Sequence, residues 1–136
     1  MDRIEATKYG STYRPEVFVS LIVGDRRFHA RALLDSGADH IYLGLNHLDV
    51  LGIDREQKLP IEGLSVDADE PAEGDLRAMS LDILFGPIHW HGVVFIRNRH
   101  EHYVLLGRDF FEELSVRFEW SEDPPAMYIE FPNTNQ

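Results

Sequence analysis

The chain has 136 residues, enough for one domain with a sizeable core but short of two ordinary domains. Hydrophobic residues make up 43% of it and charged residues 27%, a balance typical of a folded protein and too apolar for a disordered one. The net charge of -11 has the wrong sign for neutralising phosphates, so nucleic acid is not an expected partner, and the lack of cysteine excludes disulfides, Cys-ligated zinc and thiol catalysis.

The first predicted elements form a β-hairpin. Residues 17–23 and 26–34 are β-rich runs, and the pair Gly24-Asp25 between them is a two-residue turn signal. The second run becomes continuously apolar at residues 32–34, as a strand does when it passes from a sheet edge into a core. It therefore brings Asp35 to the end of a buried strand.

The next part of the chain predicts less regular structure. Residues 41–43 suggest a short strand, and residues 44–52 suggest a helical turn or two. Between residues 60 and 79 the chain becomes acidic and rich in turn formers, with most of the charge at 67–75. This composition indicates an exposed hairpin or loop.

The second half of the chain predicts two more hairpins. The first, at residues 79–96, repeats the rhythm of the earlier hairpin and suggests a weak internal duplication of about sixty residues. Residues 104–107 then predict a short apolar strand, followed by one short helix at 108–114 whose acidic residues suit a helix N-terminus. The last hairpin is predicted from residues 116–131.

Two short motifs carry the chemistry. Asp35-Ser36-Gly37 places a carboxylate after a buried strand, beside a small hydroxyl and a glycine that lets another backbone approach closely. Alone, this tripeptide also fits an ordinary turn in which Asp caps backbone groups. About seventy residues on, Leu105-Leu106-Gly107-Arg108-Asp109 leads into the short helix. Together the motifs resemble the retropepsin family, the aspartic proteases of retroviruses and their cellular and bacterial relatives.

The resemblance covers roughly residues 16–119 and implies a role for each matching residue. Asp35 would be the catalytic aspartate, Ser36 would bond across a dimer to the partner's matching loop, and Gly37 would offer its carbonyl to the substrate. Ala38 would support the same turn. Asp39 would pair with Arg108.

The resemblance also places a substrate-binding flap at residues 61–78, with Gly63, Leu64 and Ser65 as its contact residues. Viral members carry a Gly-rich tip at this point, whereas this chain runs into the acidic stretch at 67–75. One hypothesis is that the acidic tip favours basic substrates, and another is that it repels its twin in a dimer until the pH falls.

Aspartic protease chemistry needs two carboxylates. Held close, they cannot both ionise, so they share a proton and activate a water, one as base and the other as acid. The chain has a single Asp-Ser/Thr-Gly, so the second carboxylate is expected from a second copy in a twofold homodimer.

The resemblance implies an all-β, retropepsin-like closed β-barrel with one short C-terminal helix. It also implies that the protein is an endopeptidase that acts on a protein or peptide and needs no metal or other cofactor. Residues 1–15 would be an N-terminal extension that supplies an interface strand, 16–120 the protease domain, and 121–136 a C-terminal hairpin strand and tail. Family members usually build the dimer interface from the chain ends, here around residues 1–15 and 116–131.

Two other function classes fit the sequence. A non-catalytic dimeric module could keep the fold and bind an extended peptide segment, because fold does not settle function. A metal-dependent hydrolase or sensor could use His89 with His91 or His100 with His102, although solvated or capping histidines explain these pairs more simply. Four aromatic residues are expected in the core or in a dimer interface: Trp90, Phe110, Phe111 and Trp120.

The cellular location is expected to be cytoplasmic. The first residues lack the apolar core of a signal peptide. No stretch approaches the ~18 apolar residues of a membrane span, so no membrane is an expected partner.

Overall fold

The computed structural model describes residues 2–54 and 77–131, with Arg77 described by its backbone alone. Eleven strands and two short helices form in these residues. In chain order they are β1 (Asp2–Glu5), β2 (Thr7–Tyr9), β3 (Thr12–Arg14), β4 (Glu16–Val23), β5 (Arg26–Leu34), β6 (Tyr42–Gly44), α1 (Leu45–Val50), β7 (Arg77–Phe85), β8 (Ile88–Arg97), β9 (Val104–Leu106), α2 (Arg108–Phe111), β10 (Ser115–Glu119) and β11 (Ala126–Glu130).

Six strands close into a barrel in the order β4-β5-β9-β6-β8-β7. Most neighbours are antiparallel, but β5 pairs with β9 and β6 pairs with β8 in parallel. Closure gives each strand of the barrel two neighbours, which is how small all-β domains limit their free sheet edges. The all-β class and the closed barrel expected from the sequence are confirmed.

The two predicted barrel hairpins are confirmed. Val23 pairs with Arg26 across the first turn and Phe85 pairs with Ile88 across the second. Each turn begins with a glycine at positive φ, as two-residue hairpin turns require. The two hairpins then pair with each other through β4 and β7.

The barrel interior is filled by alternate residues of each strand. On β4, Val17, Val19 and Leu21 are buried, whereas Phe18 between them points outward. The continuously apolar end of β5 does enter the core, where Ala32 and Leu34 are buried and Leu33 between them is partly buried. Other residues with no exposed area include Ile41, Leu43, Leu48, Ile83, Val94, Val104, Leu106 and Phe110.

The two ends of the chain meet in a separate three-stranded sheet, in the order β1-β11-β10. The predicted C-terminal hairpin is confirmed by the pairing of β10 with β11. Met127 and Ile129 of the central strand are completely buried and join the barrel core. Strands β2 and β3 form a two-stranded ribbon of their own. The segments expected to supply interface strands thus pair with each other inside one chain.

The described residues contain two short helices, one more than the fold class expected from the sequence. The helical turn or two suggested at residues 44–52 is confirmed as the six-residue helix α1. Helix α2 begins at Arg108 as predicted but ends at Phe111 rather than at residue 114. No helix among residues 2–54 and 77–131 is long and apolar enough to cross a membrane.

Candidate active site

Asp35 follows the last residue of β5, and backbone hydrogen bonds hold this part of the chain on both sides. The backbone N–H of Leu34 donates to the Pro15 carbonyl at 3.0 Å, and the N–H of Asp35 donates to the Leu106 carbonyl of β9 at 3.0 Å. Because β5 and β9 run parallel and end together, the Asp35 turn and the start of α2 lie at the same end of the barrel.

The Asp35 turn is closed by its own hydrogen bonds. Asp35 Oδ1 accepts the backbone N–H of Gly37 at 3.0 Å, and the Asp35 carbonyl accepts the N–H of Ala38 at 3.1 Å. The side chain is partly exposed and Ser36 beside it is exposed. One carboxylate oxygen is therefore fixed in direction while the residue stays accessible from outside the barrel.

The loop after Asp35 is clamped onto the first turn of α2 by its backbone. The N–H of Arg108 donates to the Ala38 carbonyl at 2.9 Å, and the N–H of Asp109 donates to the Asp39 carbonyl at 3.3 Å. This approach requires glycine at position 107, since a Cβ there would overlap the His40 carbonyl and lie 2.6 Å from the Ala38 carbonyl.

Two side-chain pairs reinforce the clamp. Arg108 Nη2 contacts Asp39 Oδ1, so the pairing of these residues implied by the family resemblance is present in the structure. Both side chains are largely exposed, which limits the energy that the pair contributes. The second pair joins His40 Nδ1 to Asp109 Oδ2 at 2.9 Å. The His40 ring also packs against the Phe95 ring, with the two ring centroids 4.8 Å apart.

Sequence reasoning missed the pair of His40 with Asp109, because it treated Asp109 only as an acidic residue at a helix N-terminus. A signal was nonetheless present in the sequence. In the adjacent pairs Asp39-His40 and Arg108-Asp109, an acidic residue of one pair can contact a basic or imidazole residue of the other. Once Asp39 is matched with Arg108, the next residues, His40 and Asp109, are therefore also candidates for contact.

The structure brings Asp35, Ser36, Gly37, Ala38, Asp39 and Arg108 together in this one loop and helix start. The expected flap residues Gly63, Leu64 and Ser65 and the acidic stretch at 67–75 lie outside the described residues. Of the four aromatic residues expected in the core or in a dimer interface, Trp90 and Phe110 are buried in the core and Phe111 is partly buried against it. Trp120 is 42% exposed and is therefore not a core residue of the single chain.

The histidine pairs do not converge on a metal-binding arrangement. His89 and His91 both contact the carboxylate of Asp82. These contacts lower the pKa of Asp82, the hydrogen bond from His91 contributing most. His100 and His102 are exposed on the loop after β8. Among the described residues no group of three or more His, Asp or Glu side chains is placed to hold a metal ion.

Comparison with known proteins agrees with this geometry. The profile of the family described as aspartyl protease matches residues 19–110, about two thirds of the chain. No curated protein sequence matches the chain. The matched region runs from β4 through the Asp35 turn to α2.

Three solved structures share the fold at low sequence identity. A retropepsin-like aspartic protease from Rickettsia conorii has a TM-score of 0.61 and 14% identity, over 94% of this chain and 92% of that one. EIAV protease, complexed with the inhibitor HBY-793, has a TM-score of 0.50 and 22% identity, over 78% and 92%.

The third structure is the retroviral protease-like domain of Ddi1 from Leishmania major. It has a TM-score of 0.50 and 11% identity, and the match covers 89% of this chain and 98% of that one. These likenesses concern the fold, whereas the family profile covers most of the chain and both motifs of the site. The protein belongs to the aspartyl protease family and has the retropepsin-like fold.

Proposed function

We propose that the protein is an aspartic endopeptidase whose active site contains Asp35 from each of two identical chains. The observation that carries the proposal is the Asp35-Ser36-Gly37 turn at the end of β5, held to α2 by backbone bonds, in a chain of the aspartyl protease family. The turn presents a partly exposed carboxylate on a rigid support, which is what a catalytic group needs.

The chemistry follows from placing two such carboxylates face to face. Because two negative charges cannot persist at close range, the pair holds one proton between them. The ionised carboxylate takes a proton from a water as it attacks the peptide carbonyl, and the protonated one hydrogen-bonds the developing oxyanion. Proton transfer to the amide nitrogen then releases the amine product. The titration belongs to the pair rather than to either Asp35.

A second copy is required because one chain supplies one carboxylate of this type. No other Asp in the sequence is followed by Ser or Thr and then Gly. A twofold axis through the Asp35 turns brings the two groups together and closes the assembly as a dimer. Ser36, exposed beside Asp35, is then placed to bond with the partner's loop. We propose protein or peptide as the substrate, bound extended and paired through its main chain.

The first test compares Asp35→Asn with a matched variant, Asp25→Asn. Asp25 is an exposed residue of the β4–β5 turn, at the other end of β5 from Asp35. Each purified protein is incubated with a diverse peptide library from acidic to neutral pH, and products are read by mass spectrometry. We expect cleavage by the wild type and by Asp25→Asn, and none by Asp35→Asn. Cleavage that survives Asp35→Asn would refute the proposed site.

A mixing experiment tests the shared active site. Equal amounts of wild type and Asp35→Asn, dissociated and reassociated, should leave about one quarter of the dimers with two intact carboxylates. Activity should fall to that fraction of the activity of an all-wild-type sample at the same total concentration. Activity that stays at one half would mean that each chain works independently.

A binding measurement separates the endopeptidase from a non-catalytic module of the same fold. A peptide in which a hydroxyl-bearing tetrahedral carbon replaces the scissile carbonyl imitates the transition state and binds a working dyad far more tightly than the parent peptide. We expect tight binding by the wild type and weak binding by Asp35→Asn. Equal affinity of both proteins for the analogue and for the parent peptide would favour the binding module.

A further inference from the structure

A groove with a volume of about 470 Å³ lies outside the Asp35 site. Its walls are the β4–β5 hairpin, helix α1 and the loop that follows β8. None of its lining residues belongs to the Asp35 loop or to α2, so the groove is separate from the proposed catalytic site. Its volume falls in the range of sites that bind small ligands and short peptide side chains.

Two unusually exposed apolar side chains lie in the groove. Phe18 is 63% exposed although both of its neighbours in the middle of β4 are buried, and Val50 at the end of α1 is 47% exposed. The part of the chain that the structure describes has four exposed large apolar side chains, and the two most exposed of them line this groove. Clustered exposed apolar groups mark interaction sites rather than ordinary surface.

The ionisable side chains that line the groove are all basic or imidazole. They are Arg31, His29, His47, His100 and His102, and no carboxylate is among the lining residues. This local sign is opposite to the net charge of -11 of the whole chain. A groove of this kind favours anionic groups over the cations that the rest of the surface attracts.

The electrostatic character of the groove also affects one of its own residues. The pKa of His47 is lowered to about 4, first by burial and then by the positive charge of His100. Its Nδ1 accepts the backbone N–H of Gly44 at 2.9 Å, so the neutral ring carries its proton on Nε2 and offers a donor there.

The wall formed by the loop after β8 is fixed before any ligand arrives. The Asn46 side chain donates to the Glu101 carbonyl and accepts the Glu101 N–H, both at 2.9 Å. These bonds hold His100 and His102 beside α1. A preformed wall lowers the ordering cost that binding must overcome.

We propose that this groove binds an acidic peptide segment of another protein, with an apolar side chain of the segment packed on Phe18 and Val50 and its carboxylates facing Arg31 and the exposed histidines. The complementarity of charge selects an acidic partner, and the two exposed apolar residues select one that also carries an aromatic or aliphatic side chain. The proposal does not depend on proteolysis at Asp35.

Arg31 also has a partner within the chain, since its Nε lies 3.6 Å from the carboxylate of Glu16.

Three other carboxylates lie on the elements that form the groove. Asp25 is in the β4–β5 turn, Asp49 is on α1, and Glu101 in the loop is held by Arg97 and Arg99.

The test uses labelled short peptides and fluorescence anisotropy. One peptide contains Asp and Glu residues around a central Phe, a second has Asn and Gln in place of the acids, and a third has Lys. We expect the acidic peptide to bind at pH 6 at least about tenfold more tightly than the other two. Tighter binding of the Lys peptide, as the net charge alone would give, would refute the proposal.

Matched variants locate the site on the surface. His100→Gln with His102→Gln should weaken the acidic peptide about tenfold, whereas the same change at His89 and His91, an exposed pair on β8, should not. Equal loss in the two double variants would overturn the proposal, because it would show that histidine charge anywhere on the surface suffices.

The apolar part of the groove is tested in the same way. Phe18→Ser should weaken the acidic peptide, and Phe118→Ser, at another exposed aromatic residue, should not. Thermal melting of both variants checks that they fold. If sedimentation shows that Phe18→Ser instead abolishes self-association, the groove is occupied by a second copy of this chain and the proposed acidic partner is wrong.

Discussion

The imidazole Nδ1 of His40 and the carboxylate Oδ2 of Asp109 are 2.9 Å apart, which ties the loop after Asp35 to the first turn of α2. Both side chains are about one third exposed, so the pair is less screened than the neighbouring contact of Arg108 with Asp39. The His40 ring is further restrained by Phe95. The pair therefore braces the loop that carries the proposed catalytic residue.

We predict a measurable coupling between His40 and Asp109. A double-mutant cycle with His40→Ala and Asp109→Ala should give a coupling free energy of about 0.5–1 kcal/mol in urea unfolding. The matched cycle at Asp39 and Arg108 should give a smaller value, since those side chains are more exposed. A larger coupling at Asp39 and Arg108 would show that exposure does not decide which pair supports the loop.

Gly107→Ala should disrupt the site through the backbone. The added Cβ would overlap the His40 carbonyl and crowd Ala38, and backbone atoms cannot move aside as a flexible side chain can. We expect a loss of about 2 kcal/mol or more in the free energy of unfolding. The control is Gly10→Ala, where a Cβ meets nothing within 4 Å and the positive φ alone costs about 1 kcal/mol. Equal losses would mean that the close approach at residue 107 relaxes without cost.

The exposed aromatic pair Phe118 and Trp120 is predicted to lie in the dimer interface. Their rings form an edge contact with centroids 6.0 Å apart and lie in the segment expected to contribute to the interface. Trp120→Ser should shift the monomer–dimer equilibrium toward monomer in sedimentation experiments, while the melting of the monomer changes little because Trp120 is not a core residue. Phe18→Ser serves as the matched control, and an equal shift in both variants would contradict the assignment.

The sequence was sufficient for the local parts of the fold. The hairpins of β4 with β5 and of β7 with β8 could be predicted because each joins two long runs through a two-residue turn that begins with glycine. The Asp35 turn could be predicted because its residue types are restricted by the chemistry and by the close approach of α2. In both cases the information lies within a few adjacent residues.

The non-local parts could not be predicted in the same way. Strands β6 and β9 have three residues each, too few to show a period, and their parallel partners lie far along the chain. The pairing of β1 with β11 joins the two ends of the described chain, for which no turn gives a signal. Helix α1 begins at Leu45, and its N-cap residue is Gly44 rather than Ser, Thr or Asp, so the usual start signal is missing.

The stability of the fold is predicted to decrease as the pH falls from 6.5 toward 4, partly because of His47. Its pKa is about 4 in the folded protein against an ordinary value of 6.5, so between these values the unfolded chain binds more protons. The contribution of His47 is fully present above pH 6.5 and is lost as the pH falls through its folded pKa, which amounts to up to about 3 kcal/mol. An acid-active protease would have to work within this declining range.

Urea unfolding of the wild type and of His47→Gln at pH 7.0, 5.5 and 4.5 measures this contribution. The Gln side chain can still accept the N–H of Gly44 but does not titrate, so the variant should lose less stability than the wild type between pH 7.0 and 4.5. His100→Gln should also flatten the profile, because it removes the charge that helps to lower the pKa of His47. His102→Gln, an exposed change, should leave the profile as it is. Parallel profiles for wild type and His47→Gln would show that His47 does not protonate on unfolding as predicted.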